Sequence, residues 1–579
     1  MDLKGKPFYL SADEERWVLD ALASMDEREK TGQLFCVMGG DYPLDELRAL
    51  VSDEGIGAVL YRPCPKAELA EKLAAIDAAA RIPLLHAANL EEGGAGGISD
   101  GTYFANQLGV AAADDEACAR RFAEVCAAED LAAGINWTFS PVVDIDMNFR
   151  NPITNTRTFG SEPERVLKNA QLFLDAAQDS GLIACCKHFP GDGVDFRDQH
   201  LHPSCNSLTA EEWRETYGKI YKALIDRGLL SVMVGHICQP ALSMEKNPAL
   251  GFSDVLPASL SRELLTGVLR GELGFNGLIT TDATIMGGFC QAMERRRAIP
   301  SAIAAGADML VFSTDIYEDL AYLRAGLENG LLSRERLDEA VTRVLALKAV
   351  ARRPKRIPET RAAEWQRDCA RKAATLVKDT QGLVPLRGFS RLRLIILGEK
   401  ALADGADIAK IVEERLGLPT ELYEPLADEL HGPASLPEDR LTLVVANLPT
   451  ASNQTAVRIN WSRKNALDDP RFINEEPAAM ISVANPYHLQ DAPRIRTYIN
   501  AYTPIAPASS PWASRRAAAF PRASRPPRPP RPRPARSGQG PAGQAAPPAR
   551  AGAGPGQSRR PHAPLRTLSC PPRGPARQP

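Results

Sequence analysis

Eight short apolar runs punctuate the first 350 residues: Gln33–Met38, Gly55–Tyr61, Ile82–Ala88, Ile135–Ile145, Leu182–His188, Leu230–Ile237, Gly277–Thr281 and Met309–Ser313. Most lack polar alternation, which predicts strands buried on both faces, the condition of a parallel sheet. Between the runs the period changes to that of helices. Trp213, Tyr217, Ile220 and Leu224 stand at helical spacing, behind a capping box of Thr209 with Glu212 and ahead of Gly228. A second capping box, Ser161 with Glu164, has Pro163 in the first turn and predicts a helix carrying Val166, Ala170, Phe173 and Ala177. Repeated strand–helix units predict a closed (β/α)8 TIM barrel, with a doubly wound open sheet as the alternative.

The basic, proline-containing stretch Arg352–Pro358 marks a linker, which places the barrel at 1–350 and the linker at 351–372. Three further apolar runs follow, Leu392–Leu397, Leu441–Ala446 and Met480–Ala484, with helical segments such as Ala409–Leu416 between them. They predict a smaller α/β sandwich domain over 373–503, incomplete at its end. From 504 to 579 the chain is Pro, Arg, Ala and Gly with almost no apolar periodicity. Such a segment buries too little surface to offset its ordering entropy and is expected to be disordered. The abrupt change just after Ile499–Tyr502 is what a reading-frame shift in a GC-rich gene produces.

Charge changes this picture in one respect. The net charge is −3, yet fourteen Arg and no Lys, Asp or Glu lie from Ile505 onward, so the residues before it carry −17. An acidic body argues against nucleic acid as a partner and fits a neutral small substrate. Met1–Leu10 lacks the pattern of a secretory signal, and no apolar stretch approaches the roughly 18–20 residues of a membrane span. The eleven cysteines are scattered without a zinc or disulfide spacing, and a reducing, cytoplasmic setting is expected.

The densest polar cluster follows the fifth run: Lys187-His188-Phe189-Pro190-Gly191-Asp192-Gly193-Val194-Asp195-Phe196-Arg197-Asp198-Gln199-His200-Leu201-His202. Loops after the strands form the catalytic face of a barrel. In extended backbone Asp198 and His200 project to one side, so the carboxylate can fix one imidazole nitrogen and leave the other for a substrate. A merely solvated surface loop is the plainer alternative. His188, Asp192, Asp195, Asp198, His200 and His202 are all possible metal ligands, but they lack a recognised ligand spacing and no metal is expected. The seventh run ends in Thr281-Asp282-Ala283. An acid there is costly to bury in a core and fits the catalytic rim, where it can attack an anomeric carbon; the alternative is an acid that caps the next helix.

Together these motifs resemble glycoside hydrolase family 3, and within it the β-N-acetylhexosaminidase branch, marked by K-H-F-P-G-H-G-x-x-x-x-D-S-H. Here Asp192 stands for the second histidine and Gln199 for the serine. The resemblance extends through Ser140-Pro141-Val142-Val143-Asp144, Arg157-Thr158-Phe159-Gly160, His236, Pro257–Ser261, Gly274–Gly277 and Ala304–Asp308. It implies that Asp282 is the nucleophile and that His200, paired with Asp198, is the acid and then the base. Arg157, Lys187 and His188 then hold the terminal sugar, with Asp144 and His236 in the same pocket. The family's D-x-E-G-G sugar-binding motif reads Leu90-Glu91-Glu92-Gly93-Gly94 here, so Asn89 or Glu91 is expected to grip the hydroxyls instead. The β-glucosidase branch takes its acid from a glutamate in the second domain, and the complete D-x-H favours the hexosaminidase reading. The expected activity is retaining hydrolysis of terminal β-N-acetylhexosaminides without a cofactor. Phosphorolysis, β-glucosidase activity and inactive sugar binding are the alternatives.

Overall fold

The computed structural model describes residues 1–398, 401–423, 439–450, 452–459, 461, 471–474 and 476–502. The eight barrel strands are β1 (Phe35–Met38), β2 (Ala58–Leu60), β3 (Leu85–Ala88), β4 (Trp137–Thr138), β5 (Ile183–Phe189), β6 (Ser231–Val234), β7 (Leu278–Ala283) and β8 (Met309–Val311). All pairs are parallel, and the ring closes where Phe35 pairs with Leu310 and Cys36 with Val311. The open-sheet alternative is thereby excluded. Strand residues are buried on both faces almost throughout, which is why the apolar runs lack alternation. Inside, the Trp137 indole N–H donates to Ser231 Oγ at 2.9 Å, satisfying a polar group that the ring would otherwise strand.

The helix Ala210–Trp213 starts from the Thr209–Glu212 capping box and runs through a wider turn, Arg214–Gly218, into Lys219–Asp226. The helix Pro163–Ser180 begins instead with Glu162 at the cap and no side-chain cap bond, so the expected Ser161 box does not form. Pro163 sets the first turn, and Gly181 at φ 88° ends the helix. Its Phe173 packs on Phe122, with ring centroids 5.4 Å apart.

The segment expected to be a linker contains a helix, Ala362–Ala373, whose Cys369 and Ala373 are buried in the barrel's hydrophobic cluster. A separate sheet follows: β9 (Thr375–Asp379), β10 (Arg391–Leu397), β11 (Thr420–Tyr423), β12 (Arg440–Ala446), β13 (Ala478–Ser482) and β14 (Thr497–Asn500). Its order is β9-β14-β13-β12-β10-β11, parallel except for the β9–β14 pair. Of the four interior strands, β10, β12 and β13 are those read from the sequence and β14 is not, while β9 and β11, with largely half-exposed residues, lie at the edges. The intervening helix spans Ala401–Leu416, longer than expected. The tail at 504–579, read as disordered, lies outside the described residues. No described helix is long and apolar enough to cross a membrane.

This sheet domain touches the barrel at loops that follow its strands. Asn155 Nδ2 donates to Asn485 Oδ1 at 3.2 Å, the Thr156 and Thr450 hydroxyls are 3.1 Å apart, and the Tyr487 hydroxyl bonds Asp146.

Candidate active site

Asp282 lies near the carboxyl end of β7. Its Oδ1 accepts from the Ala283 amide at 2.7 Å, whereas its Oδ2 is buried without a hydrogen-bond partner. Burial alone would raise this carboxyl. The imidazoles of His188, His236 and His200, with the Ala283 amide, outweigh that and hold it at about 2. An ionised carboxylate oxygen that accepts no hydrogen bond at a strand end is the feature a nucleophile needs.

His188 ends 3.7 Å from Asp282, measured from Nε2 to Oδ2. Its other nitrogen is fixed from behind: Nδ1 lies 2.6 Å from Asp144 Oδ2, and the His188 amide donates to Asp144 Oδ1 at 3.1 Å. Asp144 Oδ1 also accepts from the Asp192 amide at 2.8 Å, so both its oxygens serve the protein. Asp144 therefore sits behind His188 and fixes the tautomer with Nδ1–H toward the carboxylate.

The loop after β5 folds back over the same mouth. His200 Nδ1 lies 2.7 Å from Asp198 Oδ1, and the His200 amide donates to that oxygen at 2.8 Å. The ring is partly open to solvent and the Asp198 side chain is fully buried. Burial would raise the Asp198 carboxyl; the bond and charge from His200 and the backbone bonds from His200 and Asn453 hold it below the usual carboxylate range. The loop that follows Asp282 is stitched to this segment, since the Gly287 amide donates to His200 O at 2.8 Å and the Gly288 amide to Gln199 O at 3.1 Å. A side chain at Gly288 would meet Gln199 O at 2.6 Å, so this close approach requires glycine. The two loops thus bring Asp282 and His200 to one mouth of the barrel.

Beside Asp282, Glu91 joins two cations. Arg157 Nε and Nη2 donate to it at 2.8 and 2.9 Å, and Lys187 Nζ lies 2.6 Å away. Burial would raise Glu91, but Arg157 and Lys187 hold it well below its usual range. Lys187 also donates to Asn89 Oδ1 at 2.9 Å. Leu90, at the motif's aspartate position, points into the core with no exposed surface. The carboxylate facing the cations is therefore Glu91, the next residue along.

His236 is also fully buried and has both nitrogens engaged. Nε2 is 3.0 Å from the Ala283 carbonyl, which only accepts, so Nε2 carries the hydrogen and Nδ1 accepts from the Ser259 hydroxyl at 2.8 Å. Burial lowers its pKa to about 4, outweighing the pull of Asp282. His236, like Asp144, props the residues beside the opening and spends its own polar atoms on the protein.

The groups considered as metal ligands are divided among separate partners. Asp195 serves Arg197 and the Cys205 amide, Asp198 serves His200, and Asp192 serves Asn151 and Gln199. Elsewhere Asp115, Cys118 and Asp368 lie close together, with Lys372 Nζ placed 2.7 Å from each of the two carboxylates. Sequence reasoning missed Ser259 and the backbone amides of Asn453 and Gln454, which reach Asp198 Oδ2 from the second domain at 2.7 and 3.2 Å. Backbone donors carry no side-chain signal.

Known proteins share this arrangement of domains. A β-N-acetylglucosaminidase/β-glucosidase from Cellulomonas fimi is 40% identical over 528 residues, covering 87% of this chain and 93% of that protein. Among solved structures, a β-glucoside phosphorylase, BglX, bound to 2FGlc is similar with a TM-score of 0.80 and 41% identity, over 86% of this chain and 94% of that one. A family 3 β-N-acetylglucosaminidase from Paenibacillus sp. str. FPU-7 shares the fold at a TM-score of 0.68 and 23% identity, over 83% of this chain and 94% of that one. The family model described as the glycosyl hydrolase family 3 N terminal domain matches residues 27–347, and the chain belongs to that family.

Proposed function

We propose that this chain removes a terminal β-linked N-acetylglucosamine or glucose with retention of configuration, through a glycosyl-Asp282 intermediate. The observation that carries the reading is the ionised Asp282 oxygen, without a hydrogen bond, at the same mouth as the His200–Asp198 pair. Asp282 Oδ2 attacks the anomeric carbon as the bond to the aglycone oxygen breaks. His200, as imidazolium, gives its Nε2 proton to that departing oxygen, while Asp198 holds Nδ1–H and compensates the charge. The neutral imidazole then takes a proton from water, whose oxygen displaces Asp282 and yields the β-sugar. Glu91, Arg157, Lys187 and His188 grip the hydroxyls of the terminal sugar, with Asn89 fixing Lys187 and with Asp144 and His236 as buttresses. No cofactor enters these steps. The Cellulomonas fimi relative's name, which joins both sugars, supports the substrate class.

A second acceptor is favoured by one specific comparison. The phosphorylase at 41% identity covers nearly the whole described chain, and a histidine acid does not repel an approaching phosphate dianion as a carboxylate does. In that case a phosphate oxygen displaces Asp282 and the product is the sugar 1-phosphate. A panel of nitrophenyl β-glycosides, run with and without phosphate and with the sugar product identified, tests both readings. Asp282→Ala is expected to abolish turnover with either acceptor, and full activity in that variant contradicts the proposal.

A further inference from the structure

The second domain does more than cover the barrel mouth. Asp198 Oδ1 is committed to His200, accepting from its amide at 2.8 Å and pairing with its Nδ1 at 2.7 Å. The other oxygen, Oδ2, accepts from the Asn453 amide at 2.7 Å and the Gln454 amide at 3.2 Å. Two successive amides aimed at one oxygen form a concave anion cradle, and Asn453 reaches it at φ 67°, in the left-handed region. The Asn453 side chain bonds locally to Ser452 Oγ at 3.3 Å, so its contribution to Asp198 comes through the backbone.

We infer that the Asn453–Gln454 turn is a positioning element for the acid/base pair: it locks the Asp198 carboxylate so that His200 is held toward the leaving-group oxygen. This inference rests on the roles proposed for Asp198 and His200. The side chain of Asp198 is fully buried, and a buried carboxylate oxygen without donors is costly. Without the turn, Asp198 rotates or draws in water, and the imidazole loses its fixed direction. The turn is itself pinned to the barrel beside the sugar-holding residues. Thr450 lies 3.1 Å from Thr156, next to Arg157 in the turn Asn155–Arg157, and Asn485 accepts from Asn155 at 3.2 Å. One edge of the second domain therefore touches both the loop that carries Arg157 and the pair proposed to move protons. Proper docking of that domain becomes a condition for proton transfer, acting on Asp198 through the backbone amides of Asn453 and Gln454.

The test uses the full chain and a series of aryl β-glycosides of graded leaving ability, with Asn453→Pro, Asn453→Gly and His200→Ala. Proline removes the amide hydrogen and cannot take a positive φ; glycine keeps the hydrogen and takes that φ readily. Asn453→Pro is expected to lower kcat/KM about 10- to 100-fold on poor leaving groups and by less than about threefold on dinitrophenyl glycosides, which need little protonation. Asn453→Gly is expected to keep the wild-type dependence on leaving group. A purely structural role moves all substrates together, so a uniform loss, or no loss, in folded Asn453→Pro overturns the inference. Should that variant fail to fold by circular dichroism, Gln454→Pro, which removes the longer bond, is read the same way with a smaller slope. His200→Ala separates the two levels: a flat leaving-group dependence there contradicts the proposed function itself, whereas a steep one beside a flat Asn453→Pro contradicts only the positioning role.

Discussion

Gln199 Nε2 donates to Asp192 Oδ2 at 3.1 Å, and these are the two positions at which the catalytic loop departs from the family's K-H-F-P-G-H-G-x-x-x-x-D-S-H pattern. The departures are thus partners. Gln199 Oε1 also accepts from the His236 amide at 2.7 Å, and Asp192 Oδ1 accepts from Asn151 Nδ2 at 2.9 Å, so the pair ties the loop to β6 and to the loop after β4. Burial, with Asp144 nearby, pushes the Asp192 carboxyl upward, which makes its donors important to the fold.

Gln199→Ala is expected to lower stability by about 2–3 kcal/mol in urea unfolding, since it leaves the buried His236 amide and one Asp192 oxygen unpaired. A double-mutant cycle with Asp192→Asn should return a coupling of about 1 kcal/mol. Strict additivity contradicts the pairing.

Glu91 is the anion between Arg157 and Lys187, and Glu91→Gln leaves a buried lysine and a partly exposed arginine without their shared carboxylate charge. The expected result is a loss in kcat/KM of about 100-fold, carried mostly by KM, because the sugar-gripping array is loosened more than the reacting atoms. Steady-state kinetics on one aryl glycoside decides it; an unchanged KM contradicts the assignment.

Restoring the family's aspartate at position 90 should not help. Leu90 has no exposed surface, and Leu90→Asp buries a carboxylate without donors, at a cost of about 3 kcal/mol or more. Unfolding measurements are expected to show that loss with no gain in affinity. Tighter substrate binding in this variant contradicts the placement of Glu91.

His236 links stability to pH. Its folded pKa of about 4 lies below the ordinary histidine value of 6.5, so between these values the unfolded chain takes up a proton that the folded chain refuses. Stability from this group is complete above 6.5 and is lost as pH falls toward 4. Asp282, His188 and His200 are the titratable groups around it. Wild-type protein should lose about 2 kcal/mol more than His236→Gln between pH 7 and roughly pH 5. Parallel pH curves for the two proteins contradict a buried neutral ring.

Much of this was legible in the chain because its physical causes are local. The barrel strands are buried on both faces, so runs such as Leu182–His188 stay apolar up to Cys186, just before the charged residues of the rim, and stand out. The Asp198–His200 pair was only a weak signal in the spacing, and it forms in a turn rather than the expected extended backbone: the Leu201 and His202 amides donate to Asp198 O, and the Asp198 carboxylate takes the His200 amide. The Ala362–Ala373 helix was not, since the basic, proline-containing stretch before it reads as linker and only tertiary packing of Cys369 and Ala373 fixes it. Edge strands β9 and β11 are short and half-exposed, and half-burial erases the apolar signal that marks β10 and β12. The motif's register at Glu91 and the amides at 453 and 454 depend on which chain segments meet in space, which one-dimensional spacing does not encode.

The covalent step at Asp282 can be trapped directly. A slow fluorinated β-glycosyl fluoride, incubated with the protein and quenched, should leave one sugar mass on the chain, and peptide mass spectrometry should locate it at Asp282. A sugar attached to another carboxylate, or steady turnover of the reagent in the Asp282→Ala protein, contradicts the account.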